Sequence, residues 1–174
     1  MKRRELFSSL ASPFKKKEEV KQESIVRPPY FIDEDDFLSK CISCESKDCK
    51  TACDEDTGII IIQEDGTPKL DFNLNGCTYC DDCAIACKEE VLKVEYGKNI
   101  NTTFSIDLIK CMSWHQTMCF SCKDPCMVDA IKFLGIFKPE INKDICTSCG
   151  FCLKVCPVEA ISFNIIEKKL EEEE

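Results

Sequence analysis

The alternation of apolar and polar positions predicts short elements throughout. IIIIQEDGTPKLDF (59–72) reads as a strand, a turn at Asp65 and Gly66, and a second strand, which together make a β-hairpin. AIKFLGIFKPEIN (130–142) repeats this pattern, with Gly135 near the turn. VLKVEY (91–96) and AISFNII (160–166) read as short apolar strands, each closing one half of the chain. The longest aliphatic run, 59–62, is far below the roughly 20 residues that a membrane-crossing helix needs. Leu6, Leu10 and Phe14 recur every four residues beside Phe7. Two readings of that stretch stand side by side: a short amphipathic helix ending before Pro13, able to dock on an acidic partner or a lipid surface, or a solvated disordered tail.

With 174 residues the chain has little room for a large apolar core, so something besides burial must hold it together. Sixteen cysteines supply that, as disulfides or as metal ligands, and the choice depends on the compartment. The N-terminus is basic, but no apolar segment follows it. KRRELFSSL carries the arginine pair of a twin-arginine export signal without the apolar stretch that should come next. A reducing cytoplasm is therefore expected, with no membrane span. The formal net charge of −9 argues against nucleic acid as a partner. Residues 1–17 hold a local +5, so a basic tail precedes an acidic body, and EKKLEEEE at the other end reads as a second, acidic tail.

The cysteines fall into four groups of four: Cys41, Cys44, Cys49, Cys53; Cys77, Cys80, Cys83, Cys87; Cys111, Cys119, Cys122, Cys126; and Cys146, Cys149, Cys152, Cys156. The second and fourth quartets keep the spacing C-x2-C-x2-C-x3-C, the bacterial ferredoxin signature in which the fourth cysteine ligates another cluster. The first quartet is widened to C-x2-C-x4-C-x3-C and the third to C-x7-C-x2-C-x3-C. Residues 41–87 and 111–156 then read as two copies of one two-cluster unit. The expected fold is α+β, a tandem duplication of the bacterial two-cluster ferredoxin fold holding four 4Fe-4S clusters. The expected boundaries are a basic tail at 1–36, units at 37–96 and 111–166 with a connector at 97–110, and an acidic tail at 167–174.

Three thiolates on a tight loop wrap three corners of a cube, while the fourth rides on the following helix to its neighbour. By this crossed ligation the first cluster would take Cys41, Cys44, Cys49 and Cys87, and the second Cys77, Cys80, Cys83 and Cys53. The third would take Cys111, Cys119, Cys122 and Cys156, and the fourth Cys146, Cys149, Cys152 and Cys126. Zinc is the competing guest, but its modules usually set two CxxC pairs apart with a long loop, and four consecutive in-line quartets would be an odd way to build that. Four oxidised clusters of about −2 each would carry the formal charge from −9 to about −17, which favours low potentials.

MSWHQTM (112–118) holds the only Trp and the only His beside Cys111 and Cys119. His115 is read as surface or packing detail, and Trp114 as a shield for the cluster. The insertion in CESKDC (44–49) either tunes exposure of one cluster or merely lengthens a loop. No phosphate loop, nucleophile elbow or HExxH motif occurs, so the chain reads as an electron carrier or accessory protein and not as an enzyme.

RRELF at 3–7, RPPY at 27–30, Phe37 before the first quartet and the long gap before Cys119 resemble the NapF-type ferredoxin accessory proteins of periplasmic nitrate reductase systems. The widened first quartet departs from the even spacing expected there. The resemblance implies a cytoplasmic four-cluster protein that contacts the molybdenum-containing nitrate reductase catalytic subunit before its export and helps to mature or reduce it. The basic tail and the proline-extended RPPY segment are then candidate docking elements. A second reading is a relay subunit of a molybdopterin or membrane-associated oxidoreductase, or of another redox protein, and a third is a free electron carrier with no fixed partner.

Overall fold

The computed structural model describes residues 25–166. Within them the chain is a small mixed assembly of three short α-helices, three single π or 3-10 turns and three two-stranded antiparallel sheets, with most of its length in loops. Helix α1 (Asp48–Asp54) leads to strands β1 (Ile60–Ile62) and β2 (Pro68–Leu70), and α2 (Asp82–Ile85) follows. Strand β3 (Thr102–Ile106) opens the second half, β4 (Ile131–Leu134) and β5 (Phe137–Ile141) form its hairpin, and α3 (Phe151–Lys154) precedes β6 (Ile161–Ile165).

Both predicted hairpins form. β1 pairs with β2 around Gly66, which takes the positive φ of 84° that its turn requires, and β4 pairs with β5 around Gly135 at 72°. The predicted strand at 160–166 also forms, as β6. Its partner was not foreseen: β3, which lies in the expected connector, pairs with it over five residues from Thr102↔Ile165 to Ile106↔Ile161.

The strand expected at 91–96 is not one. Val94–Tyr96 is a single 3-10 turn, and the segment's tie to the region before it is the Lys93 N–H donating to the Tyr30 carbonyl at 2.8 Å. Pro28 and Pro29 have no N–H to give, so no ladder develops between residues 25–31 and this segment.

That observation also corrects the reading of RPPY as a docking element. Val26, Arg27, Tyr30 and Phe31 are buried and packed into the first half. The Arg27 guanidinium donates to Thr67 Oγ1 and the Pro68 carbonyl, both at 2.9 Å, and to Glu34 Oε1 at 2.5 Å, while standing 4.7 Å above the Phe37 ring. Tyr30 donates to Asp81 at 2.5 Å. A buried charge is tolerated when its donors are satisfied in this way, and the result fastens residues 25–31 to the hairpin and to the second cysteine loop.

The two halves share one apolar core, which runs from Val26 and Phe37 through Ile59, Ile60 and Leu70 to Phe104 and Ile161. Phe72, which follows β2, packs against the cross-strand pair Phe104 of β3 and Phe163 of β6, with ring centroids 5.3 and 5.2 Å away in edge-to-face geometry. The readings of an amphipathic N-terminal helix and of the acidic C-terminal tail concern residues outside the described ones. Among the described residues no helix is long and apolar enough to cross a membrane.

Candidate metal centres

All sixteen cysteines are free thiols. Four small cavities account for every one of them. One is lined by Cys41, Cys44, Cys49 and Cys87, and a second by Cys53, Cys77, Cys80 and Cys83. A third is lined by Cys111, Cys119, Cys122 and Cys156, and the last by Cys126, Cys146, Cys149 and Cys152. Each cavity thus draws three cysteines from one quartet and one from the neighbouring quartet.

The crossing follows from local geometry. Cys49 and Cys53 both lie on α1, one helical turn apart, yet face different cavities. Cys83 and Cys87 mirror them around α2, as do Cys152 and Cys156 around α3. The regular loops bend through left-handed residues at matching positions: Tyr79 and Asp81 in one, Ser148 and Gly150 in the other. In the widened loops single left-handed residues, Lys47 and Gln116, do the turning.

The fourth cysteine of every quartet has a partner for its sulfur. Backbone N–H groups of Leu92, Ala130 and Ala160 donate to the Sγ atoms of Cys87, Cys126 and Cys156 at 3.5, 3.3 and 3.2 Å. The longer turn after Cys53 offers instead the Thr57 hydroxyl, at 3.6 Å. Burial pushes the thiols up: Cys41 and Cys122 to about 11, and Cys49, Cys77 and Cys152 to about 12, with Cys80, Cys83 and Cys146 raised in the same direction. Neighbouring sulfurs add to this, as Cys87 does for Cys41 and for Cys49. In the metal-free chain these groups therefore hold their protons at neutral pH, and loading a thiolate-binding metal releases them.

Among the described residues no three His, Cys, Asp or Glu side chains converge as ligands of a single ion do. Each set of thiols stands around a space instead, which suits a polynuclear guest that takes four thiolates at its corners. Three of the cavities have apolar walls: Ile59, Ile60 and Leu70; Ile106, Pro139 and Ile161; Phe104, Ile131 and Ile141. The first differs, since Lys47, Asp48, Lys88 and Glu89 border it.

The widened loops resolve into structural roles. Lys47, in the insertion after Cys44, donates from Nζ to the Cys41 carbonyl and, at 2.7 Å, to the Gly66 carbonyl, and so joins the cysteine loop to the hairpin turn. Trp114, expected to shield the cluster, does not line the cavity. Its indole N–H donates to the Pro139 carbonyl at 3.2 Å, which ties the 3-10 turn Met112–His115 to β5, and Met112 lines the cavity in its place. His115 is exposed, with Nε2 2.8 Å from the Ile109 carbonyl oxygen.

A family model described as a 4Fe-4S binding domain matches residues 139–162, which contain the fourth quartet. The ferredoxin-type protein NapF of Escherichia coli (strain K12) is 33% identical over 141 residues, covering 79% of this chain and 83% of the relative. NapF of Haemophilus influenzae is 30% identical over 149 residues, covering 82% and 81%. The chain belongs to the NapF family of ferredoxin-type proteins. As a NapF-type protein it is a 4Fe-4S ferredoxin, an electron-carrying class. The methylamine utilization ferredoxin-type protein MauM of Methylorubrum extorquens is also similar, at 27% identity over 164 residues, covering 83% of this chain and 74% of the relative.

Proposed function

We propose that this NapF-type chain is a four-cluster iron-sulfur protein. On this reading the tandem units are duplicated two-cluster ferredoxin modules, and each of the four thiol-lined cavities holds one 4Fe-4S cluster through its crossed cysteine set. The proposed units are 37–96 and 111–166, with the segment 25–31 held to the end of the first through the Tyr30 carbonyl and β3, in the connector 97–110, paired with the end of the second. The carrying observation is the sorting of sixteen cysteines into four cavities, four to each. The clusters, when bound, supply reversible one-electron storage. The chain's own contribution is to hold the thiols, keep apolar walls at three of the sites and donate N–H or O–H hydrogen bonds to the fourth sulfur of each quartet.

The partner we infer is the molybdenum-containing catalytic subunit of a periplasmic nitrate reductase, met in the cytoplasm before export. The chain acts as an accessory and maturation factor, giving electrons or clusters and performing no nitrate reduction itself. Membership of the NapF family supports this role. The likeness to a ferredoxin-type protein of methylamine utilization favours, as a second reading, a relay subunit of another oxidoreductase. Tagging the chain in its host and purifying it without oxygen separates the two. Recovery of a catalytic subunit that still carries its export signal is the expected result, whereas a mature multi-subunit oxidoreductase in stoichiometric amount would establish the second reading.

A further inference from the structure

We propose that the four cavities form a single row in the order first, second, fourth, third quartet, and that the meeting face of loops 77–83 and 146–152 is the electron passage between the halves. The proposal rests on the reading that the cavities hold 4Fe-4S clusters.

Within each half, adjacency comes from the four-residue spacing that sends neighbouring cysteines of one helical turn to different cavities. Cys49 and Cys53 do this on α1, and Cys152 and Cys156 about α3. Between the halves the link is direct. The Cys77 N–H donates to the Cys149 carbonyl at 2.7 Å, so a cysteine of the second cavity and one of the fourth are a single backbone hydrogen bond apart. Two residues on, the Tyr79 hydroxyl donates to the Thr147 carbonyl.

The close approach is built into the packing on both sides. A Cβ on Gly76 would stand 2.4 Å from Phe151 Cγ and 2.7 Å from the Phe151 backbone nitrogen. A Cβ on Gly150 would stand 2.2 Å from Phe72 Cδ1. Each half therefore offers a glycine as the seat for a phenylalanine of the other, and both glycines adjoin cysteine loops. In this order the two regular quartets lie in the middle of the row and the two widened ones at its ends. The irregular, regular, irregular, regular pattern along the chain thereby becomes symmetric in space.

An electron crossing this face oxidises the centre on one side by one and reduces the centre on the other by one, with no bond made or broken. It is supplied by a low-potential one-electron carrier and taken up by a one-electron acceptor of the partner.

The test uses the full chain with both end centres removed by Cys41→Ala, Cys44→Ala, Cys111→Ala and Cys119→Ala, loaded without oxygen and reduced with titanium(III) citrate. The expected product keeps about eight iron and eight sulfide per chain and gives an EPR spectrum split by spin coupling between its two remaining centres. Adding Gly76→Val, which wedges Phe151 away, removes the splitting without loss of iron. Two uncoupled signals at full iron content would overturn the row while leaving the cluster reading intact. Should that variant not hold iron, Gly76→Val in the otherwise intact chain decides: a reduced spectrum simplified to that of two separate pairs is expected, and an unchanged one overturns the proposal. An intact chain that takes up far fewer than about sixteen iron overturns the cluster reading itself.

Discussion

At the scale of single residues, function is tuned by what touches the sulfurs and what holds the loops. The Thr57 hydroxyl beside Cys53 stands where the other three quartets use a backbone N–H. Reduction adds negative charge, so a donor hydrogen bond favours the reduced state. A bond worth about 1 kcal/mol more to that state corresponds to roughly 40 mV for one electron. Thr57→Val is accordingly expected to lower one midpoint potential by tens of millivolts, about 40 mV on this estimate, and to leave the other three unmoved in a spectroelectrochemical titration. Lys47 acts differently, since its ammonium bridges two carbonyls of separate segments. Lys47→Met leaves both acceptors without this donor and is expected to cost about 1–3 kcal/mol, seen as a lowered midpoint in denaturant with iron content retained. These roles were not legible in CESKDC. The sequence marks Lys47 as one charge among several, and only the fold brings the Gly66 carbonyl to it.

At the scale of elements, the hairpins and the cysteine loops were legible because their signals are local: apolar runs flanking a glycine turn, and thiols at fixed spacing. Strand β3 was not, because TTFSI finds its partner in β6, more than fifty residues later, and reads alone as a connector. The burial of segment 25–31 is hidden in the sequence for a related reason. Its prolines imply extension, which is correct, but they do not reveal that the extended chain is buried, with Arg27 and Tyr30 fastening it. Tyr30 and Pro29 also line the second cavity, so this segment belongs to the site. Removing residues 1–24 is expected to weaken binding to the catalytic subunit in a pull-down while iron content holds. Removing residues 1–30 is expected to lose iron from the first half as well, measured by iron and sulfide analysis of the purified protein.

At the scale of the whole molecule, the small core and the sixteen thiols act together. The apolar residues that bury Phe72 also join the halves, so Phe72→Ala is expected to cost about 3–5 kcal/mol in the loaded protein. Beyond lowering the denaturation midpoint, it is expected to let the halves unfold in two steps, visible as separate transitions by cluster absorbance and by circular dichroism. The α+β class and the doubled arrangement of cysteines were readable from the chain because both repeat along it. The joining of the halves was not, since the Phe72 cluster and the glycine seats are contacts between residues far apart in sequence. Everything proposed for the whole molecule requires four loaded centres. The measurement that bears on it most directly is iron and acid-labile sulfide per chain, with the Mössbauer spectrum, on full-length protein purified without oxygen. About sixteen of each, all in 4Fe-4S form, is the result predicted; about eight, or zinc in place of iron at any quartet, would contradict it.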